Sequence, residues 1–202
     1  MKKTFVLLFG MFVLLFSDDV YNGAEAYVKE NYELASELFD KACNDGKSLG
    51  CYNLGVMYEN GEGVEQNYLK AVELHKQACD SDNFSGCHNL GVIYENGTGV
   101  EQDYIEALNY YKKACDGGNI LGCHNLGTMY ATGQGVEQNF SKARELFIKA
   151  CEDGVALSCY NLGFMYENAD GVKQDLEKAK EFFKKACDYG IEDSCYSFKA
   201  IK

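Results

Sequence analysis

The sequence predicts an all-α fold, an αα-hairpin solenoid stapled by disulfides. Three observations carry this expectation. The stretch Cys51–Asp80 recurs as Cys87–Asp116, Cys123–Glu152 and Cys159–Asp188, each copy 36 residues after the last. A period of that length marks units that cannot bury their apolar sides alone and therefore stack around a shared core. Within each copy, apolar residues recur at helical spacing in two separate runs. The chain of 202 residues also contains no Pro, which suits uninterrupted helices.

Taken in order, the chain opens with Lys2 and Lys3, an apolar run from Phe5 to Phe16, and then Ser17, Asp18 and Asp19. A basic start, a short apolar middle and a polar exit form the layout of a secretory signal. An apolar run of about a dozen residues is too short for an ordinary membrane span. Residues 1–17 are therefore expected to be a signal peptide cleaved near Ser17. An uncleaved anchor is the competing reading, since no small-x-small cleavage pattern is present. Val20–Glu30 reads as a degenerate first helix without Cys, and Tyr32–Asn44 as a second helix with Ala35, Leu38, Phe39 and Ala42 inward. Residues 18–47 thus form an N-terminal capping half-repeat. Residues 48–191 hold four 36-residue αα repeats, and residues 192–202 start another first helix that serves as a C-terminal cap.

In each repeat the first helix carries an apolar stripe: Leu54, Met57 and Tyr58, then Leu90, Ile93 and Tyr94, and their later equivalents. The second helix carries Ala71, Leu74 and Ala78, matched by Ala107, Tyr110 and Ala114 and by Ala143, Leu146 and Ala150. Gly61 and its equivalents stand where a left-handed residue ends a helix. Asn67, Asp103, Asn139 and Asp175 stand where a short oxygen side chain caps the next one. Gly55, Gly91, Gly127 and Gly163 would let helix axes approach closely. The fourth loop has Ala169-Asp170-Gly171 in place of Gly-x-Gly and is expected to adopt a different conformation.

The formal charge is −12. Loss of residues 1–17 would remove two lysines and no acids, giving −14. Such a chain repels phosphate backbones, so nucleic acid is not an expected partner, nor is a membrane once the signal is removed.

Ten cysteines form five pairs spaced by eight residues. With a secretory signal, an even count at regular spacing reads as disulfides. Two simple schemes fit antiparallel helices: bridges between successive hairpins, or bridges within each hairpin. The second strands Cys43 and Cys195 at opposite ends, so the expected pairs are Cys43–Cys51, Cys79–Cys87, Cys115–Cys123, Cys151–Cys159 and Cys187–Cys195. Zinc is disfavoured because C-x₂₋₄-C spacing is absent, and no metal or other cofactor is expected.

The pattern N-L-G-x-M-Y…G-x-G-V…D/N-Y-x-K-A…K-A-C-D-x-G resembles Sel-one-like repeats, relatives of tetratricopeptide repeats. The 36-residue unit with cysteines eight apart is similar to the Helicobacter cysteine-rich protein family. The resemblance covers nearly the whole chain after residue 17. It implies an exported αα superhelix whose first helices line a concave face. Similar proteins are described as penicillin-binding, as β-lactamases, and as released factors that meet host cells.

No catalytic motif accompanies that description, and no catalytic residue is assigned. No serine begins an S-x-x-K motif, and the three histidines, His75, His88 and His124, form neither H-x-H nor H-E-x-x-H. His75 falls in a column with Phe39, Tyr111, Phe147 and Phe183 and reads as a packed edge residue. His88 and His124 share a column with Tyr52, Tyr160 and Tyr196; they read either as substitutes for Tyr or as a general base or weak metal pair. Asn53, Asn89, Asn125 and Asn161 are identical across the four repeats. Their amides could hold a peptide backbone through paired donor and acceptor, or bond neighbouring helices and fix the stacking. The candidate groove is therefore Tyr52, Asn53, His88, Asn89, His124, Asn125, Tyr160 and Asn161. The functional expectation is a secreted or periplasmic module that binds a peptide, a peptidoglycan fragment, a β-lactam or a host protein. β-Lactam hydrolysis is the alternative.

Overall fold

The computed structural model describes residues 18–201, and the expected signal segment lies outside them. Among the described residues there are eleven helices and no strand, the all-α hairpin class that the sequence predicts. They are α1 (Asp19–Val28), α2 (Tyr32–Asn44), α3 (Ser48–Asn60), α4 (Tyr68–Asp80), α5 (Phe84–Asn96), α6 (Tyr104–Asp116), α7 (Ile120–Thr132), α8 (Phe140–Glu152), α9 (Ala156–Asn168), α10 (Leu176–Asp188) and α11 (Glu192–Ala200). The chain divides into two compact units, Met1–Gly86 and Cys87–Lys202. No helix of the described residues is long and apolar enough to cross a membrane.

Helix ends follow from local chemistry. Asn67 accepts from Lys70 N, Asn139 from Lys142 N and Asp175 from Lys178 N at 3.0–3.1 Å, and Asp103 accepts from both Ile105 N and Glu106 N. Each such cap satisfies amide donors that the first helical turn leaves unpaired. First helices end on a left-handed residue whose N–H returns to the helix: Gly61 to Met57 O and Gly133 to Met129 O.

The fourth loop corrects the expectation of a different conformation. Ala169 takes φ 63° and its N–H bonds Met165 O, as the glycines do. Gln174 Nε2 donates to Glu167 O and Asp175 N to Tyr166 O, matching Gln138 to Ala131 O and Asn139 to Tyr130 O. The loop's own hydrogen bonds impose the turn, and Ala169 accepts a backbone region that L-residues disfavour by about 1–2 kcal/mol.

In the first unit, α1–α2 and α3–α4 pack as hairpins, and Cys43–Cys51 ties α2 to α3. In the second unit, Cys115–Cys123, Cys151–Cys159 and Cys187–Cys195 tie each second helix to the next first helix. Cys79 and Cys87 are also disulfide-bonded.

The second helices bury a face different in part from the one the apolar pattern suggests. Ala71, Ala107, Ala143 and Ala179 are fully buried, as are Ala78, Ala114, Ala150 and Ala186. Between them the buried column is Phe39, His75, Tyr111, Phe147 and Phe183, whereas Tyr110 and Leu146 are only half-buried. Positions i, i+4 and i+7 share one helix face, which carries the Ala–aromatic–Ala set inward. Tyr110 turns aside to stack on Tyr94 at 5.6 Å. His75 is thus a core residue, 0% exposed, and not an edge residue. The glycines of the first helices make room for these rings: a Cβ on Gly127 would stand 2.9 Å from Phe147, and one on Gly163 2.6 Å from Phe183. Burying a ring such as Phe147 contributes about 1.5–3 kcal/mol.

Candidate functional site

The first helices α3, α5, α7 and α9 contain only three charged residues, Glu59, Glu95 and Glu167. Two of the three are engaged by second-helix side chains. Glu59 Oε1 lies 3.2 Å from His75 Nε2, and Glu95 Oε2 accepts from Tyr111 Oη at 2.5 Å. Apart from the half-buried Glu167, the outward positions of these helices are uncharged: Leu49, Leu121 and Leu157 are about half exposed, at 47%, 50% and 50%. Tyr52, Asn53, His88, Asn89, His124, Asn125, Tyr160 and Asn161 are all half-buried.

In the second unit, His88, Asn89 and Asn125 come together. His88 Nδ1 lies 3.3 Å from Asn89 Oδ1, and His88 Nε2 lies 3.3 Å from Asn125 Nδ2. An amide oxygen only accepts and an amide nitrogen only donates, so His88 is a neutral ring protonated on Nδ1. Burial pushes its pKa below the ordinary histidine value, against the opposing pull of the Asn89 bond and the Glu95 charge. Asn125 also bonds Tyr111, whose phenol is raised by burial and then by Glu95. The result is a continuous network from Asn89 through His88, Asn125 and Tyr111 to Glu95. Both ring nitrogens of His88 are occupied by amides, so it offers no free lone pair to a metal. Among the described residues, no cluster of three or more His, Cys, Asp or Glu is placed to hold one.

His124 follows a different course. Its Nδ1 lies 2.7 Å from Ser158 Oγ, and Ser158 is fully buried. Burial lowers the His124 pKa, and the nearby His88 lowers it further. Tyr160 packs edge-on to Phe164 at 4.7 Å and to Phe183 at 5.8 Å. In the first unit, Tyr52 and Asn53 line a pocket of about 320 Å³ between α1 and α3, with Tyr27, Val28, Val56 and Met57.

Ser158, Tyr111 and Glu95 belong to this arrangement but not to the sequence-derived set. For Ser158 and Tyr111 a signal was present as a break in a column, whereas Glu95 repeats the residue found at Glu59 and Glu167. Ser158 and Ser194 stand where Gly50, Gly86 and Gly122 do. Glu95 and Tyr111 are replaced one repeat later by Ala131 and Phe147.

Comparison with known proteins agrees with this architecture. The Sel1 repeat model matches residues 20–47, 48–83, 85–119, 120–155 and 156–190. HcpE of Helicobacter pylori, a protein provisionally named a β-lactamase, is 55% identical over 42 residues, which are 21% of this chain and 12% of HcpE. The matched stretch is thus a small part of that relative. The crystal structure of c5321, a protective antigen of uropathogenic Escherichia coli with an SLR fold, superimposes with a TM-score of 0.85 at 30% identity, covering 89% of this chain and 39% of that one. Cysteine-rich protein B of Helicobacter pylori gives a TM-score of 0.50 at 31% identity, covering 69% of this chain and 93% of that one. With five repeats matched across nearly all of the described residues, the chain belongs to the Sel1 repeat family.

Proposed function

We propose that the protein is an exported binding module whose first-helix faces hold an uncharged, extended segment of a partner, a peptide first among the candidates. The observation that carries this reading is the contrast between a chain of net charge −12 and four first helices that together hold only three charged residues, two of them engaged by second-helix side chains. Apolar edges at Leu121 and Leu157 flank amides at Asn125 and Asn161. Peptide recognition needs both kinds of group: amides that take backbone N–H and C=O, and apolar surface that takes side chains. Ten oxidised cysteines support an extracytoplasmic setting, since disulfides persist in oxidising compartments. Residues 1–17 have the composition of the signal that would take it there.

β-Lactam hydrolysis is the second reading, favoured by the name given to HcpE. The geometry gives it less support. Ser158, which pairs with His124, is fully buried and cannot reach a substrate carbonyl as a nucleophile.

The test uses oxidised, full-length protein and an array of uncharged peptides, with cephalosporin turnover measured in parallel. Asn89→Ala and Asn161→Ala are each expected to weaken peptide binding about 3- to 10-fold, the equivalent of one neutral hydrogen bond. Unchanged affinity in both variants would reject the amide-bearing face. Turnover abolished by one substitution on that face would replace binding with catalysis.

A further inference from the structure

We infer that Ser158 locks His124 as the Nε2–H tautomer, so that His124 meets a ligand as a hydrogen-bond donor for an acceptor oxygen and not as a base. The inference deepens the binding reading above and names the role of one residue in it. It starts from a hydroxyl that has one place to go. Ser158 is 0% exposed, and among the described residues its Oγ has a single hydrogen-bond partner, His124 Nδ1 at 2.7 Å. A hydroxyl carries one donor, and leaving a buried donor unpaired is unfavourable. If Nδ1 carried the proton and donated to Oγ, the serine hydrogen would have no acceptor. The arrangement that satisfies it has Ser158 donating to Nδ1, which leaves the ring proton on Nε2.

Nε2 then carries the ring proton on a half-buried side chain. It has no protein partner among the described residues, yet it is not one of the buried unpaired atoms, which are His75 Nδ1 and Ser194 Oγ. An imidazole N–H suits a carbonyl or carboxylate oxygen, and the peptide carbonyl is the commonest such group in an uncharged segment. The neighbouring position complements it. Asn125 directs its amide nitrogen to His88 and Tyr111, leaving Oδ1 as an acceptor. Two histidines one repeat apart are thus held in opposite tautomers, His88 on Nδ1 and His124 on Nε2. Ser158 is shut off from solvent and acts through His124, as a positioning residue.

Long-range ¹H–¹⁵N correlation of the imidazole rings in oxidised, ligand-free protein at neutral pH reads both tautomers directly. The expected result is a protonated Nε2 with a bare Nδ1 for His124 and the reverse for His88. Ser158→Gly reproduces the residue found at Gly50, Gly86 and Gly122, so the helix contact tolerates it; Ser158→Ala keeps the Cβ as a second variant. Both should move the His124 nitrogens toward tautomer-averaged shifts and raise its titration midpoint, with His88 unchanged. A His124 protonated on Nδ1, or nitrogen shifts indifferent to both substitutions, would overturn the assignment. Adding N-acetyl-dialanine amide should shift His124 Nε2–H. If that probe shifts no resonance of the protein while the tautomers are as stated, the peptide reading fails and the Ser158 assignment stands.

Discussion

The hairpins α5–α6 and α7–α8 are built to one plan and filled differently. Each pairs a 13-residue first helix with a 13-residue second helix, and each sets a first-helix glycine against a second-helix ring. In α5–α6 the buried ring is Tyr111, and Glu95 stands at the end of the first helix to accept its hydroxyl. In α7–α8 the ring is Phe147, and the position of Glu95 is taken by Ala131. In these two hairpins the polar tip comes with its acceptor, whereas α9–α10 keeps the carboxylate, Glu167, with Phe183 as its buried ring. The comparison teaches that this core position tolerates a polar group when a partner accompanies it, and that the repeat plan does not require either one.

The largest effect should come from the link between the two hairpins. Cys115→Ala with Cys123→Ala opens a nine-residue loop, and the chain-entropy relation puts the loss near 2.6 kcal/mol. Urea unfolding of oxidised protein checks it; a loss near zero would show that packing alone aligns the hairpins. Next comes Glu95→Ala, which leaves the Tyr111 hydroxyl hydrogen without its acceptor and should cost about 2 kcal/mol. Adding Tyr111→Phe recreates the α7–α8 core and should recover most of that loss. Additive losses in the double variant would break the comparison.

These two predictions mark where the sequence could be read and where it could not. The period, the caps at Asn67, Asp103, Asn139 and Asp175, and the glycine ends are local signals, and the hairpin fold follows from them. Tertiary choices are not local. His75 looks like an edge polar residue until Gly55 is placed against its ring: a Cβ there would lie 2.7 Å from it. The bond between His124 and Ser158 joins residues 34 apart, so helix periodicity does not announce it. The Ala169 loop misled in the opposite direction. Missing glycine suggests a changed turn, but five flanking residues repeat the hydrogen bonds that dictate the original one.

That loop supplies a smaller test. Ala169→Gly should stabilise the protein by up to about 1 kcal/mol, since the relief of the left-handed backbone exceeds the added entropy of glycine. The same substitution in reverse, Gly133→Ala, should destabilise by a similar amount. Thermal unfolding of both variants reads the difference, and matching signs would contradict it.

The smallest expected effect is a pH dependence shared by the two hairpins. His88 and His124 have pKa values held down by burial. In the unfolded chain they take up protons near pH 6.5, while the folded form stays neutral. The unfolded state therefore binds more protons as pH falls through that range, and stability declines on acidification toward the folded values. His88→Tyr with His124→Tyr, the residues found at Tyr52 and Tyr160, should flatten this slope. A slope unchanged in the double variant would place the pH sensitivity elsewhere.

The central claim is that the first-helix faces, and not the charged second helices, are where a partner docks. The most direct measurement is an ¹⁵N side-chain amide and backbone map of the oxidised protein with and without a bound uncharged peptide. The expected shifts concentrate at Asn89, Asn125 and Asn161 and at His124 Nε2. Shifts confined to second-helix residues such as Lys112, Glu145 and Lys184 would contradict it.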